Sequence, residues 1–325
     1  MRVLLTGGFG CIGSWSVRNL LLQGDQVWIY DLKADLHRLQ LLLDEQQLLQ
    51  VTFLQGDVTD LERLKGVLQE HAITHVIHLA GLQVPVCRAD PLLGARVNVL
   101  GTLAVFEAVR HLKDQIQRLV YASSAAVFGP PSSYTSGAQG DDAPLHPSTH
   151  YGVFKCCNEG NARVYFQDHG LSSVGLRPWT VYGVGRDFGM TSDPTKAIKS
   201  LAPGRPYTIS YGGAQDMQLV DDVAKIFIRC LESPYTGSRS FNLRGGIVTM
   251  PEFMQALIAV DPNASRLIQH GTRQLDIAYD LDDTGLESTF GPLPRTSLVD
   301  GVRQTYEHFL RLATLGRLDT ADLDG

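Results

Sequence analysis

The run Val3-Leu4-Leu5-Thr6-Gly7-Gly8-Phe9-Gly10-Cys11-Ile12-Gly13 constrains this chain most, because it carries an apolar strand through glycines 7, 10 and 13 into an amphipathic helix predicted over 12–22. One glycine permits the tight turn, one lets a ligand approach the backbone, and one lets the helix pack closely on the strand. The helix start exposes unpaired N–H groups and the positive end of the peptide dipole, which suits the pyrophosphate of a dinucleotide. The pattern then repeats. Short apolar runs predict strands at 2–5, 26–30, 51–55, 75–79, 118–122 and 173–176, and apolar spacings of three and four predict helices at 61–69, 97–109 and 153–167. Residues 36–49 read as one further amphipathic helix. Strands alternating with helices define an α/β chain, a Rossmann-type doubly wound parallel sheet with a smaller C-terminal substrate lobe.

Asp31 ends the second strand, where a carboxylate can accept hydrogen bonds from ribose hydroxyls and would repel a 2′-phosphate. NAD is therefore the expected cofactor rather than NADP, although Lys33 and Arg38 lie close in sequence. Residues 1–177 are expected to form the NAD-binding domain, with a return segment near 219–246, and residues 178–325 the substrate lobe.

Tyr151 and Lys155 stand four residues apart, hence on one face of a helix. A phenol is a poor base at neutral pH, and a neighbouring ammonium favours its phenolate. Upstream, the apolar strand 118–122 ends in Ser123-Ser124, and ligand sites in open α/β sheets lie at the carboxyl ends of strands. Ser124 can then bond the reacting oxygen beside the phenol. Asn98 has two readings, a bond toward Lys155 through backbone or water, or a structural asparagine.

The formal net charge of −6, without a long basic run, points away from nucleic acid and anionic membranes. No leader-like segment precedes Val3 and no stretch reads as a membrane span, so a cytoplasmic protein is expected. The five cysteines show no C-x-x-C spacing, which argues against a zinc site or a disulfide framework; Cys156 and Cys157 read as core packing. His75, His78, His146 and His150 lack partners at ligand spacing, so no metal is expected. Trp15, Trp28 and Trp179 read as packing aromatics. The Pro/Ser/Gly-rich stretch 129–149 reads as a surface loop beside the site, and the acidic tail after Leu315 as frayed.

These motifs, in this order, resemble the extended short-chain dehydrogenase/reductase family, which includes nucleotide-sugar epimerases, dehydratases and sugar dehydrogenases. Thr6 to Gly13 is similar to its cofactor loop, with Cys11 where an aromatic is usual. Gly56-Asp57-Val58-Thr59-Asp60 resembles its adenine-binding turn, His78-Leu79-Ala80-Gly81 the strand end under the nicotinamide ribose, and Asn98-Val99-Leu100-Gly101-Thr102 its helix signature. Ser123 to Gly129, Leu176-Arg177-Pro178 to Gly183, and Val220-Asp221-Asp222-Val223 resemble the serine strand, the entry to the substrate lobe and the returning helix. The resemblance implies Tyr151 as base, Lys155 as its activator and Ser124 as oxygen holder. It implies cofactor contacts at Gly7, Gly10, Cys11, Ile12, Gly13 and Asp31, at Asp57, Val58, Leu79, Ala80, Gly81 and Asn98, and at Tyr151, Lys155 and Pro178. Gln83, Ser123, Ser124, Thr180 and Arg273 are expected to face substrate, and residues 85–88 to border it. A homodimer is implied too.

Departures from the family pattern narrow the chemistry. Ala125-Ala126 replaces the acidic pair of the dehydratases, so elimination is not expected. Gln215-Asp216-Met217 stands where an Arg-Asp-aromatic triplet usually grips a nucleotide diphosphate, and Thr180 replaces an asparagine, with Arg273 left as a second phosphate-facing position. The expected activity is NAD-dependent removal of hydride from a secondary alcohol of a sugar, sugar acid or similar small molecule, with net dehydrogenation or reduction favoured. The alternatives are an epimerase of an NDP-sugar, which gains ground if Arg186, Arg205, Arg239 or Arg273 converge on one anion, and a non-catalytic NAD-binding regulator.

Overall fold

A computed structural model describes every residue except Ser136 and Gly325. Its centre is a parallel seven-stranded sheet. Six of the strands are β1 (Arg2–Thr6), β2 (Gln26–Asp31), β3 (Val51–Gln55), β4 (His75–His78), β5 (Arg118–Ala122) and β6 (Ser173–Arg177). Ser238–Asn242 joins them beside β6, giving the order Ser238–Asn242, β6, β5, β4, β1, β2, β3. The order reverses between β1 and β4, and this opens a crevice at their carboxyl ends. Both faces are covered, so the strands are near-continuous apolar runs; Val3, Leu5, Ile29, Ile77, Val120 and Val174 are all fully buried.

The helices Cys11–Leu22 and Val220–Glu232 pack together on one face, and Leu61–Glu70 and Gly101–His111 on the other. Beyond β6 lies a second core, built on a three-stranded sheet (Thr180–Tyr182, Ala214–Leu219, Ile247–Thr249), a two-stranded sheet (Tyr207–Ile209, Ile268–His270) and helices including Asp193–Leu201, Met250–Val260 and Leu298–Thr314.

Five local readings need correction. Residues 36–49 form two helices, His37–Leu42 and Glu45–Leu48, because Leu43 is extended and Asp44 starts a new helix with a capping box to Gln47. The helix expected at 97–109 starts earlier and runs Pro91–His111, opened by the Asp90 cap and Pro91 and widened by a π turn at Arg96–Leu100. This helix is long and apolar enough to cross a membrane by length and composition, but half of it is buried in the fold. The stretch 129–149, apart from Ser136 which lies outside the described residues, is more than a surface loop. Its Asp141 is buried, accepting from Asn242 N at 2.7 Å, and Gln139 N donates to Asp280 O at 2.8 Å. The described part of the tail is pinned rather than frayed: Lys199 Nζ meets Asp322 Oδ1 at 2.5 Å, and Arg205 pairs with Asp324. Finally, Cys157 is exposed rather than packed in a core, whereas the half-buried Cys156 does pack against the second core.

Candidate active site

Four strand ends and the second lobe enclose one cavity of about 230 Å³. After β1 come Gly7, Gly10, Cys11, Ile12 and Gly13, and after β4 come Leu79, Gly81 and Gln83. The β5 end supplies Ser123 and Ser124, and the β6 end Pro178 and Trp179. Tyr151 and Lys155 reach in from the helix His150–His169, and Arg186, Met190, Thr191 and Ile277 close the far wall.

The glycine turn is built for close approach. Gly7 has a φ of +71°, and a Cβ there would sit 2.6 Å from Ala80 N. A Cβ on Gly13 would sit 2.5 Å from Gly7 O and 2.8 Å from Gly8 Cα. Gly10 caps the helix Cys11–Leu22 without a side-chain hydrogen bond, so the first-turn N–H groups keep their capacity for an anion. Arg38 is committed elsewhere: it donates to Phe9 O at 3.1 Å and to Gly185 O at 3.0 Å, and pairs with Asp187 at 2.6 Å. Asp31 thus keeps its carboxylate at the β2 end, accepting from Leu32 N, with burial raising its pKa. The turn, the open helix start and this acid together fit a dinucleotide.

Tight packing brings Tyr151, Ser124 and Lys155 together. Thr149 caps the helix His150–His169 by accepting from Gly152 N at 3.1 Å. A Cβ on Gly152 would collide with Ala126 O, so only glycine lets this helix lie against the turn that carries Ser124. Ser124 caps that turn, its Oγ accepting from Ala126 N at 3.1 Å. Burial raises the Tyr151 phenol above its ordinary value, against the Ser124 hydroxyl and the Arg186 cation, which both favour the phenolate. Lys155 Nζ donates to Ala122 O at 2.6 Å and lies 5.5 Å from the centroid of the Tyr151 ring. Burial pulls the Lys155 ammonium down to about 8. The cations that bear on the phenol therefore include Arg186, which the Tyr-x-x-x-Lys spacing does not reveal.

Several expected site residues stand outside the cavity wall. Asn98 accepts from Leu82 N at 2.7 Å and donates to Leu82 O at 2.9 Å and to Cys87 Sγ at 3.4 Å. Thr180 is fully buried and donates to Gln215 Oε1 at 2.6 Å, so it does not face substrate. Arg273 is exposed and away from the cavity. Asp57 accepts from Thr59 N and Oγ1 at 2.9 and 2.8 Å, and these bonds lower its pKa; Val58 packs over Gly101. Asp31, Asp57 and Val58 lie at the sheet edge beyond the enclosed space, and Ala80 lies behind Gly7. Of residues 85–88, none lines the cavity.

The sequence reading passed over a buried support beneath the site. Arg177 forks onto Glu159, Nε to Oε1 at 2.8 Å and Nη2 to Oε2 at 2.7 Å, and Ser123 Oγ donates to Glu159 Oε1 at 2.5 Å. Glu159 follows Lys155 by four residues on the same helical face, the signal that could have found it. His78 is held neutral below Lys155, pushed down to about 3 by burial and that ammonium, with Thr6 and Thr102 hydroxyls at 2.7 and 2.9 Å from its ring nitrogens. The residues of the far wall have no comparable periodic signal.

Comparison with known proteins agrees with this geometry. The NAD dependent epimerase/dehydratase family matches residues 3–243. A UDP-glucose 4-epimerase of Mycolicibacterium smegmatis is 30% identical over 318 residues, covering 95% of this chain and 98% of that protein. The structure of a Thermus thermophilus UDP-glucose 4-epimerase in complex with NAD superposes with a TM-score of 0.79 at 28% identity, covering 95% and 99% of the two chains. A monomeric L-threonine 3-dehydrogenase from a metagenome shares the fold at a TM-score of 0.81 and 20% identity, covering 95% and 99%. With most of its length matched in this way, the chain belongs to the NAD dependent epimerase/dehydratase family.

Proposed function

We propose that this enzyme uses NAD to oxidise a secondary alcohol of a sugar, sugar acid or similar small molecule, with net dehydrogenation or the reverse reduction as its outcome. The observation that carries the reading is the meeting of Tyr151, Ser124 and Lys155 in one cavity with the glycine turn. Bound NAD supplies the hydride acceptor. Tyr151 takes the hydroxyl proton, Ser124 holds the reacting oxygen, and Arg186 favours the phenolate against the cost of its burial, with the Lys155 ammonium 5.5 Å from the ring centroid as the expected second activator. The first-turn N–H groups after Gly10 hold the pyrophosphate, and Asp31 the adenosine ribose, in residues 1–177 with the returning segment 219–246; residues 178–325 carry the substrate lobe.

Net redox chemistry is favoured over epimerisation because an epimerase must hold its ketone while the sugar turns, which calls for a strong remote grip. Of the four arginines that could supply one, Arg186 alone lines the cavity. Arg205 pairs with Asp324, Arg239 meets Asp141 and Asp142, and Arg273 faces solvent. Gln215, Asp216 and Met217 are buried, with Asp216 Oδ1 accepting from Gly245 and Gly246 N at 2.9 and 2.8 Å. Ala125 and Ala126 offer no acid for dehydration. The second reading, an NDP-sugar 4-epimerase, is favoured by the 30% identical relative. A screen of sugars, sugar acids and NDP-sugars tests the choice. NADH accumulating with a sugar or sugar acid is the expected result; conversion of UDP-glucose to its 4-epimer without NADH release would reverse it.

We also propose a homodimer. Leu92, Leu93 and Leu100 on the helix Pro91–His111, and Val153 and Val164 on the helix His150–His169, are all exposed. Sedimentation should give twice the chain mass for the wild type and a single chain mass for a Leu100→Glu, Val153→Glu double variant; a monomeric wild type would contradict this.

A further inference from the structure

The far wall of the cavity holds a cation without a counter-ion. Among the described residues Arg186 makes no ion pair, its neighbour Asp187 being taken by Arg38 at 2.6 Å, and Asp193 bonds Tyr207 and Ser210 instead. One guanidinium nitrogen, Nη2, donates to Thr191 Oγ1 at 3.1 Å, whereas the Nε is buried with no partner. A buried donor on a charged group left unsatisfied costs free energy, and such a group is poised for an acceptor that arrives with the ligand. Gln83 stands on the same wall. A Cβ on Gly189 would overlap Gln83 Oε1 and lie 3.3 Å from Arg186 Nη2, so that glycine at φ +108° lets the two side chains converge. Behind them, Tyr211 Oη and Gln215 Nε2 are also buried without partners.

A planar guanidinium with donors left over matches a carboxylate, which it can bind through charge-assisted hydrogen bonds. Among the described residues, no acidic side chain lines the cavity to compete for it. We propose that Arg186, flanked by Gln83 and Thr191, receives the carboxylate of a hydroxy acid whose carbinol lies at Ser124 and Tyr151, which makes the substrate a sugar acid of the aldonate type. This inference rests on the reading of the site as an alcohol oxidation site.

Binding, rather than turnover, gives the clean test. Calorimetry would use NAD-saturated Tyr151→Phe protein and aldonates, each paired with the alditol of the same carbon skeleton. The aldonates should bind about 10- to 100-fold tighter than the alditols, the range of a charge-assisted pair. Adding Arg186→Met should erase the difference, and Arg186→Lys should restore part of it, with the NAD dissociation constant unchanged in both. Equal binding of acid and alditol, or an acid preference that survives Arg186→Met, would overturn the proposal. So would tight UDP-glucose binding that depends on Arg186, because the cation would then be a diphosphate anchor. Wild-type turnover separates the two levels: neutral sugars oxidised in preference to aldonates would sink the carboxylate site and leave the oxidation chemistry standing.

Discussion

Replacing Tyr151 with Phe is expected to lower turnover by about 100- to 10,000-fold, the usual contribution of a positioned proton-transfer group, while NAD affinity stays within about threefold. The ring is kept, so the helix can still pack through Gly152 on the turn of Ser124, and Lys155 keeps its bond to Ala122 O at 2.6 Å. Only the hydroxyl that exchanges the proton is lost. The wild-type pH dependence follows from the same group. Burial holds the phenol above its ordinary range, so its base form is scarce at neutral pH and grows as pH rises. Oxidation of the alcohol should therefore accelerate with rising pH, and reduction of the ketone should slow. Steady-state rates in both directions check this; a Tyr151→Phe protein that turns over at the wild-type rate would reject the assignment of the base.

Gly10→Val is expected to weaken NAD binding by at least about 100-fold without unfolding the protein, a loss equivalent to one or two charge-assisted hydrogen bonds. The physical basis is a difference between neighbouring glycines. Gly10 has a φ of −71°, which valine can adopt, and a Cβ there meets only Gly7 O at 3.2 Å. The added methyl groups project toward the cavity that Gly10 lines, where the pyrophosphate must approach the backbone. Gly13→Ala should behave differently. Its Cβ would press on Gly7 O at 2.5 Å and on Gly8 Cα at 2.8 Å, straining the turn itself, so stability should fall by about 1–3 kcal/mol. Thermal unfolding together with NAD titration separates the two effects. Wild-type NAD affinity in Gly10→Val would remove the glycine turn from the cofactor site.

The parts of the fold legible in the sequence were those written in short-range pattern. All six strands expected from apolar runs are present, each within a residue of its expected ends, because a strand covered on both faces must be apolar along its length. Tyr151 and Lys155 share a helical face by spacing alone, and Ser124 follows a strand end. What escaped depends on contacts between distant segments. Arg186 reaches the cavity wall only because the chain after β6 folds back over it. Arg177 is spoken for by Glu159, and Thr180 by Gln215, neither of which a local reading of their neighbours suggests. Asn98 resembles a cofactor-side group in sequence, yet a π turn directs it to both polar groups of Leu82. The break within residues 36–49 was local and readable, since Asp44 and Gln47 have capping-box spacing, but the leucine periodicity around them outweighed it.

A crystal structure of the wild-type protein grown with NAD tests the central arrangement most directly. The account expects the pyrophosphate at the first turn of the helix Cys11–Leu22, the nicotinamide ribose within hydrogen-bond reach of Lys155, and the nicotinamide ring facing the oxygens of Tyr151 and Ser124. A dinucleotide bound with its nicotinamide turned away from those oxygens, or lodged outside the glycine turn, would contradict it.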